Sequence, residues 1–315
     1  MPPFAALLLA LALGHANVVS GGEWNYKLDD PHGPLFWEEV CHTGKRQSPI
    51  DIVDHQTSPV QFDPFHFRHY SRQLGNDVTL HNNGHTIVMG LGRVSPKIEA
   101  AVRGGGLEKV YVLDHIHFHA GAEHTINGIR HPLEAHLVHR EQHSENVSQA
   151  LTKRDGIAVL GVLFHVSKEP NKSLRPLFEA LRKLEGADKG QKISMKISSS
   201  PMALSAFLPD DTERFYRYYG SLTTPGCHED VVWTVLENSL PISEEELRLF
   251  RVMPEDNFRP AQNLNHRFVL RNNPGSLSSH SSTSSASVVS MPLALVLLSS
   301  LLTSLLMRSG TRATH

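Results

Sequence analysis

The chain has 315 residues, 40% hydrophobic and 20% charged, with 30 Lys plus Arg set against 32 Asp plus Glu. That is the composition of a globular protein with a sizeable core, and its even charge balance excludes both the basic footprint of a nucleic-acid binder and the charge excess of a disordered chain. The unusual counts are 21 His and 2 Cys.

At the N-terminus, residues 1–16 carry an apolar run, Phe4 to Leu13, followed by Gly14-His15-Ala16. Short apolar runs ending in small residues mark secretory signal peptides, although the basic flank usual in front of such a run is missing. Passage through the secretory pathway predicts an oxidising compartment, where Cys41 and Cys227 form one disulfide; two buried free thiols are the alternative. The same compartment makes the sequons Asn146-Val-Ser148 and Asn171-Lys-Ser173 candidate glycosylation sites.

From Trp24 to Val40 the chain is rich in aromatic residues, Gly and Pro. This predicts an irregular arm, with Trp24, Tyr26, Phe36 and Trp37 as its anchors. Gln47 to Ile52 reads as a turn entering a strand, and Val78 to Met89 as alternating strand residues interrupted by the turn Asn82-Asn83-Gly84. A strand follows from Val110 to His119, and compact apolar runs predict three more at Glu134 to Arg140, Ile157 to Val166 and Val231 to Leu236. Helical spacing appears at Leu174, Leu177, Phe178, Leu181 and Leu184, and Ser243 with Glu246 forms a capping box in front of a short helix. Many strands with few short helices predict a β-dominated α+β domain over residues 23–273, without internal repeats.

Within it, His117-Phe118-His119 and Glu134-Ala135-His136 have the chemistry. Alternate strand residues share a face, so His117 joins His119, and Glu134 joins His136. Antiparallel pairing of the two strands brings three imidazoles together, and three imidazoles with a vacant fourth position are the donor set of a catalytic Zn²⁺. Residues 274–287 are Ser-rich and cannot bury a core, which predicts a flexible stalk. Residues 288–315 then match a glycosylphosphatidylinositol attachment signal. A membrane helix over 288–307 is the alternative, weakened by its many Ser residues and Pro292.

With these motifs in hand, the chain resembles the α-class carbonic anhydrases, in particular their extracellular, membrane-anchored members. The resemblance runs from Trp24 to about Arg271. Its motifs are Arg46-Gln-Ser-Pro-Ile-Asp51, Asn82-Asn-Gly-His85, His117-Phe-His119, Glu123-His-Thr125, Glu134-Ala-His-Leu-Val-His139, Ser221-Leu-Thr-Thr-Pro225 and Asn257-Phe-Arg-Pro-Ala-Gln262. It implies a single domain on a large twisted, mostly antiparallel sheet. The implied activity is zinc-dependent, reversible hydration of CO₂ to bicarbonate at the outer face of the plasma membrane, by zinc hydroxide and a His proton shuttle.

The resemblance makes His117, His119 and His136 the zinc ligands and His85 the proton shuttle. Thr223 becomes the residue that takes the hydroxide's hydrogen bond and passes its own to Glu123, and Thr224 a bicarbonate contact. Val138, Val159, Leu222, Val231 and Trp233 become the apolar wall for CO₂. Glu134 and the Asn257 backbone are implied to orient His136 and His119, and Tyr26, Asn83 and Tyr218 to order water. The disulfide is implied to brace the loop carrying Thr223.

Three residues depart from the family pattern: His115 where Gln is usual, Ala120 where Trp is common, and Ala135 where a larger aliphatic is usual. The last two predict looser packing behind the ligand strands. A metal-free relative acting as a surface binding module is the competing reading, and it goes with loss of a metal histidine, of which none is missing. No protein partner is implied, and His81, His139, His143 and His165 read as structural or surface residues.

Overall fold

A computed structural model describes residues 24–74, 78–91, 99–185, 192–195 and 202–274. The signal peptide, the stalk beyond Pro274 and the apolar tail expected from the sequence lie outside these residues. No helix among the described residues is long and apolar enough to cross a membrane.

Thirteen strands of the described residues join one sheet. At its centre the strand Leu107–Ala120 pairs antiparallel with Leu133–Glu141, which pairs antiparallel with Ile157–Ser167. Val231–Leu236 lies parallel to Ile157–Ser167, and Phe215–Gly220 runs antiparallel beyond it. On the other flank, Val78–Asn82 and Ile87–Gly90 form the hairpin predicted around Asn82-Asn83-Gly84. Among the described residues the helices are short, the longest being Arg175–Leu181, and Ser243 and Glu246 exchange both bonds of the predicted capping box at Glu244–Arg248. The β-dominated α+β reading therefore holds.

The strand period divides the core. Leu133–Glu141 is almost entirely buried on both faces. One face sends Phe118, Ala135, Leu137 and Val162 into the larger cluster beneath Arg175–Leu181 and Phe250. The opposite face sends Val138, Val159, Val231 and Trp233 into a second cluster, with Leu222 packed against it. Full burial of each large apolar side chain contributes about 1.5–3 kcal/mol, so the two histidine-bearing strands are held from both sides.

The arm is ordered as expected at Trp24, Tyr26 and Trp37, whose rings meet edge to face at 5.1 to 5.9 Å. Phe36 is a correction: it is 63% exposed. The 3₁₀ turn Pro34–Phe36 buries Pro34 and leaves Leu35 and Phe36 outside. Cys41 and Cys227 form the disulfide, tying the arm to the segment that follows Thr223.

The two alanine departures differ in their surroundings. Ala135 is fully buried in the larger cluster, so its neighbours have closed on it. Ala120 instead lines a pocket of about 330 Å³ over Phe250.

Candidate metal centre

His117 and His136 face each other across the ladder, as do His119 and Glu134. This register puts the three imidazoles on one face, with one nitrogen from each lying within 4.8 Å of the others. The hydrogen bonds on the outer nitrogens decide which lone pairs turn inward. His119 Nδ1 is 2.6 Å from the Asn257 carbonyl oxygen. A carbonyl can only accept, so Nδ1 carries the proton and Nε2 keeps its lone pair.

His136 Nε2 is 2.8 Å from Glu134 Oε1. Burial alone would raise the Glu134 pKa, but the rings of His124 and His136 hold it well below the usual carboxylate range. The ionised carboxylate accepts, so His136 donates from Nε2 and turns the lone pair of Nδ1 inward.

His117 is oriented by a relay. Asp114 Oδ2 is 2.8 Å from His115 Nδ1, and His115 Nε2 is 3.1 Å from His117 Nδ1. Burial would raise the Asp114 pKa, yet the His115 bond and charge bring it below its ordinary value. Asp114 therefore accepts from His115, His115 accepts from His117, and His117 Nε2 is left with its lone pair. The relay depends on a bulge. Val138 pairs with His115 while His139 pairs with Leu113, which leaves Asp114 as the extra residue. Bulges re-aim side chains, and this one brings the Asp114 carboxylate to the His115 ring.

The site also suits a cation electrostatically. Burial, followed by the neighbouring imidazoles, pushes His117 well below its ordinary pKa, and burial lowers His119 against the opposing charge of Glu123. Neutral imidazoles are the metal-binding form. Buried His119 Nε2 and Glu123 Oε2 have no hydrogen-bond partner and lie 3.6 Å apart. An unsatisfied buried nitrogen lone pair next to a carboxylate oxygen is costly in a bare protein and is relieved by a positive ion. The donor set fits Zn²⁺.

Around this centre Trp233 lies edge-on to His136 at 4.8 Å. Val138, Val159 and Val231 are buried with it, and Leu222 is half-buried beside them. Glu123 Oε1 accepts from the Arg259 backbone. Thr223 is buried and Thr224 half-buried, in a loop tied by Trp233 Nε1 donating to the Ser221 carbonyl and by Cys227 N donating to Thr224 O. The expected Thr223 bond to Glu123 is not formed at Oε2, which has no partner.

The ring of His85 stacks on Trp24 at 3.8 Å, Trp24 meets Tyr26, and Tyr26 meets His119 edge to face at 6.3 Å. Burial and the Glu123 charge push the Tyr26 phenol well up, so it stays protonated. Asn83 is exposed, and its Oδ1 accepts from the backbones of His85 and Thr86; it shapes the turn that presents His85.

Two expected roles change. The Tyr218 hydroxyl is buried against His124 Nε2 at 2.7 Å and Ser48 Oγ at 2.9 Å, so it braces the interior instead of ordering water in the cleft. Asn171 is buried; its Nδ2 donates to Pro241 O and its Oδ1 caps the following turn. A glycan there would break both, which leaves the exposed Asn146 as the accessible sequon. Sequence reasoning missed His124, whose Nδ1 is 2.7 Å from Glu134 Oε1 and whose backbone donates to Oε2. Its only signal was its place between Glu123 and Thr125.

The family model for eukaryotic-type carbonic anhydrase matches residues 32–273. "Putative carbonic anhydrase 5" of Caenorhabditis elegans is 34% identical over 85% of this chain and 89% of its own length. "Carbonic anhydrase 15" of Mus musculus and "Carbonic anhydrase 4" of Oryctolagus cuniculus are each 32% identical, over 88% and 84% of this chain and 90% of their own lengths. With the match spanning the strands of His117, His119 and His136 as well as Glu123, Thr223 and Asn257, the chain belongs to the eukaryotic-type carbonic anhydrase family, the enzymes of reversible CO₂ hydration.

Proposed function

We propose that this protein hydrates CO₂ at the cell surface, with Zn²⁺ held by His117, His119 and His136 and with His85 as proton shuttle. The observation that carries the reading is the fixing of every outer imidazole nitrogen, by Asn257, Glu134 and the Asp114 and His115 relay, so that three lone pairs converge. Zn²⁺ bound there supplies a Lewis acid that makes water a nucleophile at neutral pH, an effect for which carbonic anhydrase is the standard example, with a water pKa of about 7.

The remaining roles belong to the chain. Val138, Val159, Leu222, Val231 and Trp233 offer CO₂ a surface that asks for no hydrogen bond. Thr223 accepts a hydrogen bond from the attacking oxygen and donates to Glu123, which has an acceptor to spare at Oε2; this sets the lone pair that faces the carbon. Thr224 contacts the bicarbonate product. His85 takes the released proton to buffer, a task suited to a side chain that titrates near neutrality.

The cell-surface placement rests on the apolar N-terminal run, on the disulfide, which belongs to oxidising compartments, and on the apolar segment after the Ser-rich stretch. A lipid anchor is favoured over a membrane helix by the Ser content of that segment.

The deciding experiment measures bound zinc and CO₂ hydration in the wild type and in His136→Ala. Both should fall to background together in the variant, and normal hydration without His136 would overturn the assignment.

A further inference from the structure

We propose that the pocket at Ala120 is a second ligand site, on the face of the sheet opposite the histidines, and that it takes a small aromatic carboxylate. Ala120 directly follows His119 and is backed by Phe250, which lies in the aromatic cluster with Phe118 and Phe178. Leu247 and Pro132 complete an apolar lining around about 330 Å³. A closed apolar cavity of about 150 Å³ already binds benzene, and ligand pockets begin at about 300 Å³. An aromatic ring fits this space, with the edge of Phe250 available for packing.

The rim supplies the second half of the recognition. Arg248 and Arg251 both line the pocket and are exposed. Among the described residues no carboxylate pairs with either guanidinium, whereas Arg182 nearby is paired with Glu245. Guanidinium groups bind carboxylates through charge-assisted, often bidentate hydrogen bonds. Glu244, also on the rim, disfavours a second negative charge and so selects a monocarboxylate. Apolar depth and a cationic mouth together specify a ring carrying one anionic arm.

The site reaches the metal centre through Asn257. Its Oδ1 accepts from the Ala120 backbone while its carbonyl accepts from His119 Nδ1. A ligand packed on Ala120 bears on the strand end that orients His119.

The test titrates the full-length protein with indole-3-acetate and with indole, read by calorimetry and by ligand-observed NMR, so that it is independent of CO₂ hydration. Indole-3-acetate should bind with a dissociation constant of about 1 mM or tighter, and indole, lacking the anion, about tenfold more weakly. Arg248→Gln/Arg251→Gln should remove that difference. Ala120→Trp, which fills the pocket covalently, should abolish binding of both probes while raising Tm. If Ala120→Trp does not fold, the double Arg variant and the comparison with indole still decide the matter. No binding to the wild type at millimolar concentration overturns the proposal, as does equal binding of the two probes or binding that survives in both variants.

Discussion

Replacing Glu134 by Gln alters one atom in size and charge and tests how the metal centre is oriented. Glu134 is fully buried. Its Oε1 receives His136 Nε2 at 2.8 Å and His124 Nδ1 at 2.7 Å, and its Oε2 receives the His124 backbone N–H at 2.9 Å. All three partners are donors, and Gln offers one acceptor oxygen and one amino group. With its oxygen toward the two rings, the amino group meets the His124 N–H, and two buried donors confront each other at a cost of about 1–3 kcal/mol. Turned the other way, the amino group faces His136 Nε2, which must then accept; the imidazole proton moves to Nδ1, the nitrogen that faces the other ligands. Either arrangement also removes the charge that makes His136 a better donor to a cation.

Zinc affinity should therefore fall by about 10–100-fold, the range for partners of metal-bound histidines, or about 1.4–2.7 kcal/mol. That figure agrees with a single unsatisfied buried group. Competition with a chromophoric chelator gives the affinity, and Tm of the zinc-free proteins separates metal loss from unfolding. A Glu134→Gln variant that bound zinc as tightly as the wild type would refute the reasoning.

Four further outcomes are expected. His115→Leu removes the acceptor for His117 and should weaken zinc binding about tenfold, whereas His115→Gln, which keeps an acceptor, should stay within about threefold; equal losses would show that the relay does not orient His117. His85→Ala should slow CO₂ hydration most in dilute buffer and recover with added imidazole, and a defect insensitive to buffer concentration would argue against the shuttle. Phospholipase specific for phosphatidylinositol should release the protein from intact cells, and retention would favour a membrane helix. His139 is the pH test: burial lowers its pKa from 6.5 to about 4, and it accepts from Tyr70 at 2.5 Å. The unfolded chain takes up the proton first, so this stability is complete above about pH 6.5 and is lost toward pH 4. The wild type should fall about 1.4 kcal/mol per pH unit more steeply than His139→Gln in that window, as measured by urea unfolding, and parallel slopes would contradict the assignment.

What could be read in advance and what could not divide along a physical line. His117 and His119, like Glu134 and His136, announce themselves because a strand's period of two is written directly into residue spacing, and the same period placed Val138 on their face. The apolar runs at Ile157 and Val231 were legible for the same reason. The Asp114 relay was not, although Asp114, His115 and His117 stand almost side by side, because local spacing sets Asp114 and His115 on opposite faces. Only the bulge opposite Val138 and His139 brings them together, and a bulge is a property of two strands. His124 and Asn171 were misjudged on similar grounds, since each is defined by partners distant in sequence, Tyr218 and Pro241.

Ala120 and Ala135 are both smaller than the side chains usual in the family, yet Ala120 lines a pocket while Ala135 is packed into the larger core cluster. Ala135 sits mid-strand, opposite Phe118 and Val162, where neighbours on both flanks can close in. Ala120 sits at the strand's last residue, paired on one side with Leu133 and followed by Gly121, whose φ of +80° turns the chain away, so it has fewer neighbours to close on it than a mid-strand residue. The cost of lost bulk depends on whether the surroundings can collapse. Ala120 is thus a place where lost bulk leaves space, and where a ligand has room to fill it.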